Sequence, residues 1–194
     1  PINLYGSTKL TAEKLFISGN VFKGKNKKCK FTVVRYGNVM GSRGSVIPIL
    51  LNQNKNNSNF FTITHKAMTR FNITLNEASI FVQNCLKIMK GGEIFVPKLP
   101  SYNIIDLAKA INPNKRIKII GIRAGEKLHE EMVSAIEFRN LTEKKEFFIV
   151  GSRSTNTSKS GKLFNSYNSL DNKRYLTTKQ ISTLINKNIS DFEK

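Results

Sequence analysis

The sequence predicts an α/β fold of ordinary domain size. Short segments rich in β-branched and aromatic residues alternate with longer segments in which apolar residues recur at helical spacing. Such alternation is typical of α/β proteins. The chain has 194 residues, which is enough to bury a sizeable core. The order of elements matches only the later strands of a doubly wound sheet, so we expect part of such a sheet.

The strands and helices are predicted from composition and periodicity. The predicted strands are residues 31–36, 60–64, 93–97, 116–122 and 147–150. The predicted helices are residues 7–22, 46–51 and 75–90, a segment beginning at 101, a short helix within 123–130, and 178–187. Capping signatures at 74–77 and 177–180 mark two of the helix starts. The apolar residues expected to face inward are Leu10, Leu15, Phe16 and Val21 in the first helix, and Ile80, Phe81, Leu86 and Ile88 in the third.

Tyr5 and Lys9 form the first candidate site. They read Y-x-x-x-K at the start of a helical segment, and residues four apart share one helix face. A free tyrosine titrates near ~10, and a neighbouring cation favours the phenolate. The pair therefore suits proton transfer, although Tyr and Lys four apart also occur on many solvated helices.

A glycine-punctuated loop follows the strand at 31–36. Gly41 and Gly44 permit positive φ angles and let the backbone approach a ligand closely. The loop also offers hydroxyl groups, backbone N–H groups and Arg43. These groups indicate a site for an anion.

The composition limits the classes of partner. The formal net charge is +19, which is compatible with nucleic acid, an anionic membrane surface or a phosphorylated substrate. The densest basic run, residues 23–30, has no interleaved aromatic residues on which bases could stack, so we expect no nucleic-acid partner. No apolar run is long enough to span a bilayer, and we expect no membrane partner. Cys29 and Cys85 form no metal or redox motif, which indicates free thiols in a reducing cytoplasm and no metal site.

Four motifs together resemble those of a known family. They are Y-G-S-T-K at 5–9, R-Y-G-N-V-M-G-S-R-G-S at 35–45, M-T-R-F at 68–71 and R-A-G-E-K-L-H-E at 123–130. In this order they resemble the extended short-chain dehydrogenase/reductases, and within them the inverting UDP-N-acetylglucosamine 4,6-dehydratases. The resemblance implies that residues 1–150 form the C-terminal part of the Rossmann fold plus a small substrate-binding lobe. Residues 151–194 would be a loosely ordered tail with a terminal helix.

The resemblance also implies roles for individual residues. Tyr5 and Lys9 match the catalytic pair, and Lys9 would also bind the nicotinamide ribose. Val39 matches a position beside the nicotinamide. The positions that match or suit substrate contacts are Asn38 and Glu126 for the nucleotide sugar, Arg70 and Arg123 for the diphosphate, and Arg43 in the glycine loop. Forked guanidinium donors suit a diphosphate.

The implied reaction is a closed redox cycle on a UDP-sugar. Carbon 4 of UDP-N-acetylglucosamine is oxidised by NADP, water is lost across carbons 5 and 6, and hydride returns to carbon 6. The product would be a UDP-linked 4-keto-6-deoxy amino sugar for surface glycan or pseudaminic-acid-type biosynthesis. A homo-oligomer is expected for the full-length enzyme.

The sequence begins P-I-N-L-Y, and no G-x-x-G-x-x-G phosphate loop is visible in it. We therefore expect a C-terminal fragment that by itself neither holds NADP nor completes the elimination. Two alternatives stay open. One is another UDP-sugar enzyme of the same superfamily, either a 4-epimerase or a retaining 4,6-dehydratase, and the other is a non-catalytic basic binding protein.

Overall fold

The structure is a computed structural model, and it describes residues 1–22, 24, 28–56, 58–151 and 166–192. The helices are α1 (Leu4–Phe22), α2 (Val46–Lys55), α3 (Leu75–Ile88), α4 (Ile104–Ile111) and α5 (Thr178–Phe192). The strands are β1 (Val33–Val34), β2 (Phe60–Ile63), β3 (Thr69–Phe71), β4 (Ile94–Pro97), β5 (Ser101–Asn103), β6 (Arg116–Ile119), β7 (Glu131–Val133), β8 (Leu141–Glu143), β9 (Phe147–Val150) and β10 (Tyr167–Asn168). The predicted α/β class is confirmed.

The chain forms two compact units, each assembled from three segments. The first unit comprises Pro1–Tyr36, Asn76–Lys98 and Glu131–Asn168. The second comprises Gly37–Leu75, Leu99–Glu130 and Ser169–Lys194. Each unit therefore collects residues that are distant in sequence, and the predicted division near residue 150 stays a prediction.

The first unit is built on a mixed sheet with the strand order β1-β4-β9-β8. β1 runs parallel to β4, and the remaining neighbours are antiparallel. All four residues of β4 are buried, and this strand is paired on both edges. β10 pairs antiparallel with β7 in the same unit. The strand predicted at 31–36 is shorter than expected. It is β1, whose two residues are half-buried.

The second unit has a core of helices packed on two small sheets. β2 pairs parallel with β6, and β3 pairs antiparallel with β5. The spacing of Ile104, Leu107 and Ala108 places these three residues on one face of α4, where all are buried. The core comprises Met40, Ile47, Leu50, Phe61, Ile63, Met68, Tyr102, Ile104, Leu107, Ala108, Ile181 and Ile185.

The predicted inward faces of two helices are wrong for seven of their eight residues, and Phe81, which is half-buried against Phe147, is the exception. In α1 the side chains of Leu15 and Val21 are 67% and 80% exposed, and in α3 that of Leu86 is 64% exposed. Leu10, Phe16, Ile80 and Ile88 are exposed as well. Periodicity identifies which residues share a face, but it does not show which face the rest of the chain covers.

Two other predicted helices are also corrected. Residue 101 begins strand β5, and α4 begins three residues later, where the Asn103 side chain accepts a hydrogen bond from the Ile105 N–H at 2.7 Å. Asn at the N-cap supplies such an acceptor, whereas Ser101 is paired with Phe71 in the sheet. Residues 123–130 form a turn and bends rather than a helix, because Gly125 has a φ angle of 81°.

Smaller differences concern the ends of elements. α2 continues to Lys55, four residues beyond its predicted end, and β6 stops at Ile119 instead of residue 122. Of the segment predicted to be loosely ordered, residues 152–165 lie outside the described residues. From residue 166 onwards the chain forms β10, and Ser169 is fully buried. The expected helix near the C-terminal end is confirmed as α5.

An ion cluster in the first unit surrounds Arg35, in which Glu13 is buried and the other two residues are half-buried. Its guanidinium contacts the carboxylates of Glu13 and Glu137, with shortest N···O distances of 2.6 Å to each. Burial alone would raise the pKa of Glu137, but hydrogen bonds from Arg35 and Ser134 outweigh that effect and lower the pKa from 4.5 to about 2. The ionised form of Glu137 therefore stabilises the folded chain.

We expect acid to destabilise the protein through Glu137. Since the folded pKa lies below the unfolded one, the stabilisation is complete above about pH 4.5 and is lost as the pH falls towards 2. The loss should be no more than roughly 3 kcal/mol. Urea unfolding followed by circular dichroism across this pH range should show a smaller pH dependence in Glu137→Gln than in the wild type. The exposed carboxylate of Glu146 provides the control variant Glu146→Gln, and an unchanged pH dependence in Glu137→Gln would refute the assignment.

Candidate functional site

Tyr5 and Lys9 lie on the first two turns of α1. The helix begins at Leu4, earlier than predicted, and the Asn3 side chain accepts a hydrogen bond from the Gly6 N–H at 2.8 Å. This interaction is the one expected of an N-cap residue and explains the earlier start. Lys9 Nζ lies 5.3 Å from the centroid of the Tyr5 ring, and Tyr5 is 72% exposed. The cation and the phenol are therefore adjacent and open to a ligand.

The glycine loop of the second unit is fixed at its base. A Cβ at Gly37 would lie 2.5 Å from Cβ of Phe71, so the close packing of these two residues requires glycine. Val39 forms a parallel bridge with Ile73, and Met40 N–H donates to the Ile73 carbonyl at 2.8 Å. The predicted positive φ angles are confirmed at Gly41 (76°) and Gly44 (73°).

A cavity of about 430 Å³ is lined by this loop. Arg43 lines it from an exposed position, and its guanidinium has no hydrogen-bond or ion-pair partner among the described residues. Val39, predicted to lie beside the nicotinamide, also lines the cavity, whereas Asn38 is exposed at the loop's start. Sequence reasoning missed Asn188, which α5 contributes to the same wall. Nothing in the local sequence around Asn188 indicates this, because the contact depends on how α5 packs.

The side chain of Arg70 is hydrogen-bonded to other residues of the second unit. Its Nη atoms donate to the carbonyls of Thr69, Lys127 and Leu128 at 2.7, 2.9 and 3.2 Å, and Nη2 also lies 3.1 Å from Met68 Sδ. The full set of contacts includes the Glu130 carboxylate, 3.5 Å from Nε. The predicted diphosphate contact of Arg70 stays a prediction, and it requires that some of these acceptors be exchanged for phosphate oxygens.

Arg123 and Glu126 enclose a turn. The Arg123 N–H donates to Glu126 Oε2 at 3.1 Å, and the Glu126 N–H donates to the Arg123 carbonyl at 3.0 Å. The positive φ angle of Gly125 permits this geometry. The Arg123 side chain is exposed, and its guanidinium has no hydrogen-bond or ion-pair partner in the part of the chain that the structure describes. Arg123 is therefore available to an anion, as Arg43 is.

A buried hydroxyl cluster supports the backbone beside Arg70, and sequence reasoning missed it. Thr69 Oγ1 lies 2.7 Å from Ser169 Oγ and 2.8 Å from His129 Nδ1. Ser169 Oγ also accepts from the Glu130 N–H at 2.9 Å. Burial and the nearby Arg70 cation lower the pKa of His129, which favours the neutral ring in this contact. A single serine after a polar stretch carries no sequence signal for this role.

The predicted site residues are thus divided between the two units. Tyr5 and Lys9 belong to the first unit. The remaining predicted residues, Asn38, Val39, Arg43, Arg70, Arg123 and Glu126, belong to the second.

His65 is a turn residue whose Nδ1 accepts from the Ala67 N–H at 3.1 Å.

The α/β fold, the Tyr–Lys helix and the glycine loop define a member of the extended short-chain dehydrogenase/reductases. The chain belongs to the family described as polysaccharide biosynthesis protein, whose profile matches residues 1–152. This membership confirms the resemblance inferred from the four motifs. None of the described helices combines the length and apolarity needed to cross a membrane.

Two curated relatives and one solved structure illustrate the similarity. A UDP-N-acetylglucosamine 4,6-dehydratase (inverting) of Campylobacter jejuni is 53% identical over 135 residues, which are 70% of this chain and 40% of the relative. A UDP-glucose 4-epimerase of Rickettsia bellii is 43% identical over 141 residues, which are 71% of this chain and 41% of the relative. The X-ray structure of Pen from Bacillus thuringiensis is 38% identical with a TM-score of 0.83, and the match covers 96% of this chain and 58% of Pen. The chain therefore spans about two fifths of the length of the two curated relatives.

We expect Arg70→Met to destabilise the second unit by about 1–3 kcal/mol, because the carbonyls of residues 127 and 128 lose their charged donor. Limited proteolysis should then cleave within residues 123–130 sooner than in the wild type. The matched control is Arg116→Met, which removes an exposed arginine of the same unit and should leave cleavage unchanged. Equal cleavage rates in Arg70→Met and the wild type would show that these hydrogen bonds do not hold the loop.

Proposed function

We propose that this chain forms part of an NADP-dependent UDP-N-acetylglucosamine 4,6-dehydratase that inverts carbon 5. The observation that carries the proposal is the 53% identity with a relative of that name, over a match that covers 70% of this chain. The adjacent Tyr5 and Lys9 side chains support it, since they would supply the acid–base pair that the first step needs.

Tyr5 would accept the proton of the sugar's 4-hydroxyl group as carbon 4 is oxidised. Its phenol is exposed, so a substrate hydroxyl can reach it. The Lys9 ammonium lies 5.3 Å from the ring centroid, on the same face of α1, so a cation stands beside the phenol. General-base catalysis by a positioned side chain contributes about 10²- to 10⁴-fold to such a step.

Lys9 and Val39 are the residues that we propose for contacts with the reacting end of a nicotinamide nucleotide. Lys9 would donate to the ribose hydroxyls, and Val39 would pack against the nicotinamide face. When bound, the cofactor supplies the oxidation at carbon 4 and the later reduction at carbon 6. A nicotinamide cofactor is general in the extended short-chain family, and we propose NADP in particular.

Arg43 and Arg123 are the cations best suited to the diphosphate of a UDP-sugar. Both guanidinium groups are exposed and have no partner among the described residues. Arg43 precedes the N-terminus of α2, which is a favourable end for an anion. Arg70 would join them after exchanging part of its present set of acceptors, Asn38 would contact the sugar, and Glu126 would accept hydrogen bonds from nucleotide hydroxyls. A cytoplasmic location and a homo-oligomer are further expectations of the proposal.

A second candidate function is 4-epimerisation of a UDP-sugar. It is favoured by the 43% identity with a relative named UDP-glucose 4-epimerase. Both reactions begin with oxidation at carbon 4, so Tyr5 and Lys9 would serve either one. The two differ in whether water is then lost.

We expect Tyr5→Phe to abolish turnover of UDP-N-acetylglucosamine, with a fall of at least about 100-fold, because the base for the 4-hydroxyl proton is removed. The assay uses a chimera in which this chain replaces the matching region of the Campylobacter jejuni enzyme. Tyr167→Phe is the control, since it makes the same exchange in the same unit and keeps the ring beside Phe148. A rate like that of the wild type in Tyr5→Phe would remove Tyr5 from the mechanism.

The product distinguishes the two candidate functions. We expect the chimera to convert UDP-N-acetylglucosamine into a product lighter by one water, and in deuterium oxide to place deuterium at carbon 5 with inverted configuration. Mass spectrometry and proton NMR measure both properties. A product of unchanged mass that differs only at carbon 4 would establish epimerisation instead.

A further inference from the structure

We propose that the buried ion pair between Glu13 and Arg35 positions the Tyr5–Lys9 pair by fixing the rotation of helix α1 about its axis. This inference rests on the proposed function for the catalytic meaning of Tyr5, but its structural part concerns the first unit alone. Glu13 and Arg35 are positioning residues and do not touch the reacting atoms.

Within this chain, Glu13 is the buried attachment point of helix α1 nearest to the Tyr5–Lys9 pair. Among its 19 residues, all of which are described, the buried residue is Glu13, a carboxylate that is 7% exposed. Leu4, Leu15 and Val21 are 81%, 67% and 80% exposed. The apolar contacts of the helix lie in its second half, where Ile17 is half-buried and the Phe16 ring centroid lies 6.3 Å from that of Phe31. The second polar anchor is Asn20, whose side chain donates to the Phe31 carbonyl at 2.8 Å and accepts from the Phe31 N–H at 3.0 Å, near the far end of α1.

Arg35 makes a rigid partner for Glu13. Its backbone N–H donates to the Phe95 carbonyl at 2.9 Å, which ties the residue to the central strand β4. Nε and Nη2 donate to the two oxygens of Glu13 at 2.6 and 2.7 Å. The other donors go to both oxygens of Glu137, at 3.0 and 2.6 Å, and to the Met132 carbonyl at 2.8 Å. All five N–H groups of the guanidinium donate hydrogen bonds, so the orientation of the guanidinium is fixed.

The spacing along α1 transmits this orientation to the catalytic pair. Tyr5, Lys9 and Glu13 stand four residues apart, on successive turns. Each is displaced from the previous one by about 40° around the axis, because four residues exceed one turn slightly. A group at the helix's outer radius of about 5–6 Å moves about 1 Å for a rotation of about 10°. A misplacement of that size can cost about 100-fold in rate.

The first experiment measures hydrogen exchange of the α1 amides in this chain by mass spectrometry. In Glu13→Gln the new amide N–H₂ faces the guanidinium donors, and we expect faster exchange in the segment that contains residues 5–13. The matched control is Glu93→Gln, since Glu93 is also a buried carboxylate of the first unit. Glu93 accepts hydrogen bonds from Thr32 and from the backbone N–H groups of Lys90 and Gly91, and it has no part in α1. Glu93→Gln should leave the exchange of that segment unchanged.

The second experiment measures kcat and KM in the chimera with the Campylobacter jejuni enzyme. We expect Glu13→Gln to lower kcat about 10- to 100-fold with the KM for UDP-N-acetylglucosamine unchanged, because the residues proposed to bind this substrate belong to the second unit. Glu13→Asp restores the charge on a shorter side chain and should recover part of kcat. Glu93→Gln should retain the kcat of the wild type.

The outcomes separate this inference from the proposed function. A wild-type chimera without turnover would contradict the proposed function, and the exchange experiment would then decide the positioning. Unchanged exchange of residues 5–13 in Glu13→Gln would overturn the inference. Equal losses of kcat in Glu13→Gln and Glu93→Gln would overturn it too, because they would reflect general destabilisation.

Discussion

The guanidinium of Arg35 is the constraint on which the first unit depends. It joins β1, helix α1 and the segment at residues 132–137 through hydrogen bonds that use every donor it has. Glu13 and Glu137 are largely removed from solvent, so loss of the cation would leave two carboxylates without their partner. Removing the cation would therefore destabilise the first unit. The position of α1, and with it the Tyr5–Lys9 pair, follows from this cluster.

In the second unit, the arginine residues divide into two groups by what surrounds them. Arg70 is 13% exposed and holds the carbonyls of residues 127 and 128, so its charge is used within the fold. Arg43 and Arg123 lie on glycine-containing turns and remain open to solvent. A glycine accepts the positive φ angle that such a tight turn requires. The same residue type can thus serve stability or anion binding according to its backbone setting.

Beyond the family match, the chain from Ser169 onwards is integrated into the second unit. Ser169 bridges Thr69 and the Glu130 N–H, and Tyr175 OH donates to the Ser169 carbonyl at 2.6 Å. α5 adds two residues to the core, Ile181 and Ile185, and Asn188 to the wall of the glycine-loop cavity. Part of the segment that the sequence predicted to be a loosely ordered tail is therefore a structural support. Buried hydroxyl groups achieve it because each has a hydrogen-bond partner, which removes the cost of their burial.

The sequence alone determined the fold class, several local features and the family. The α/β class, the strands at residues 60–63 and 147–150, the positive φ angles of Gly41 and Gly44, and the family were predictable, because they depend on local composition and on motif spacing. Tertiary structure decided which helix faces are covered, why α1 buries Glu13 rather than Leu15, and why Arg70 is occupied while Arg43 and Arg123 are open. Those outcomes depend on partners distant in sequence, such as Arg35 for Glu13 and the carbonyls of residues 127 and 128 for Arg70. A pattern within one segment contains no information about such partners, since burial and hydrogen bonding are properties of the assembled chain.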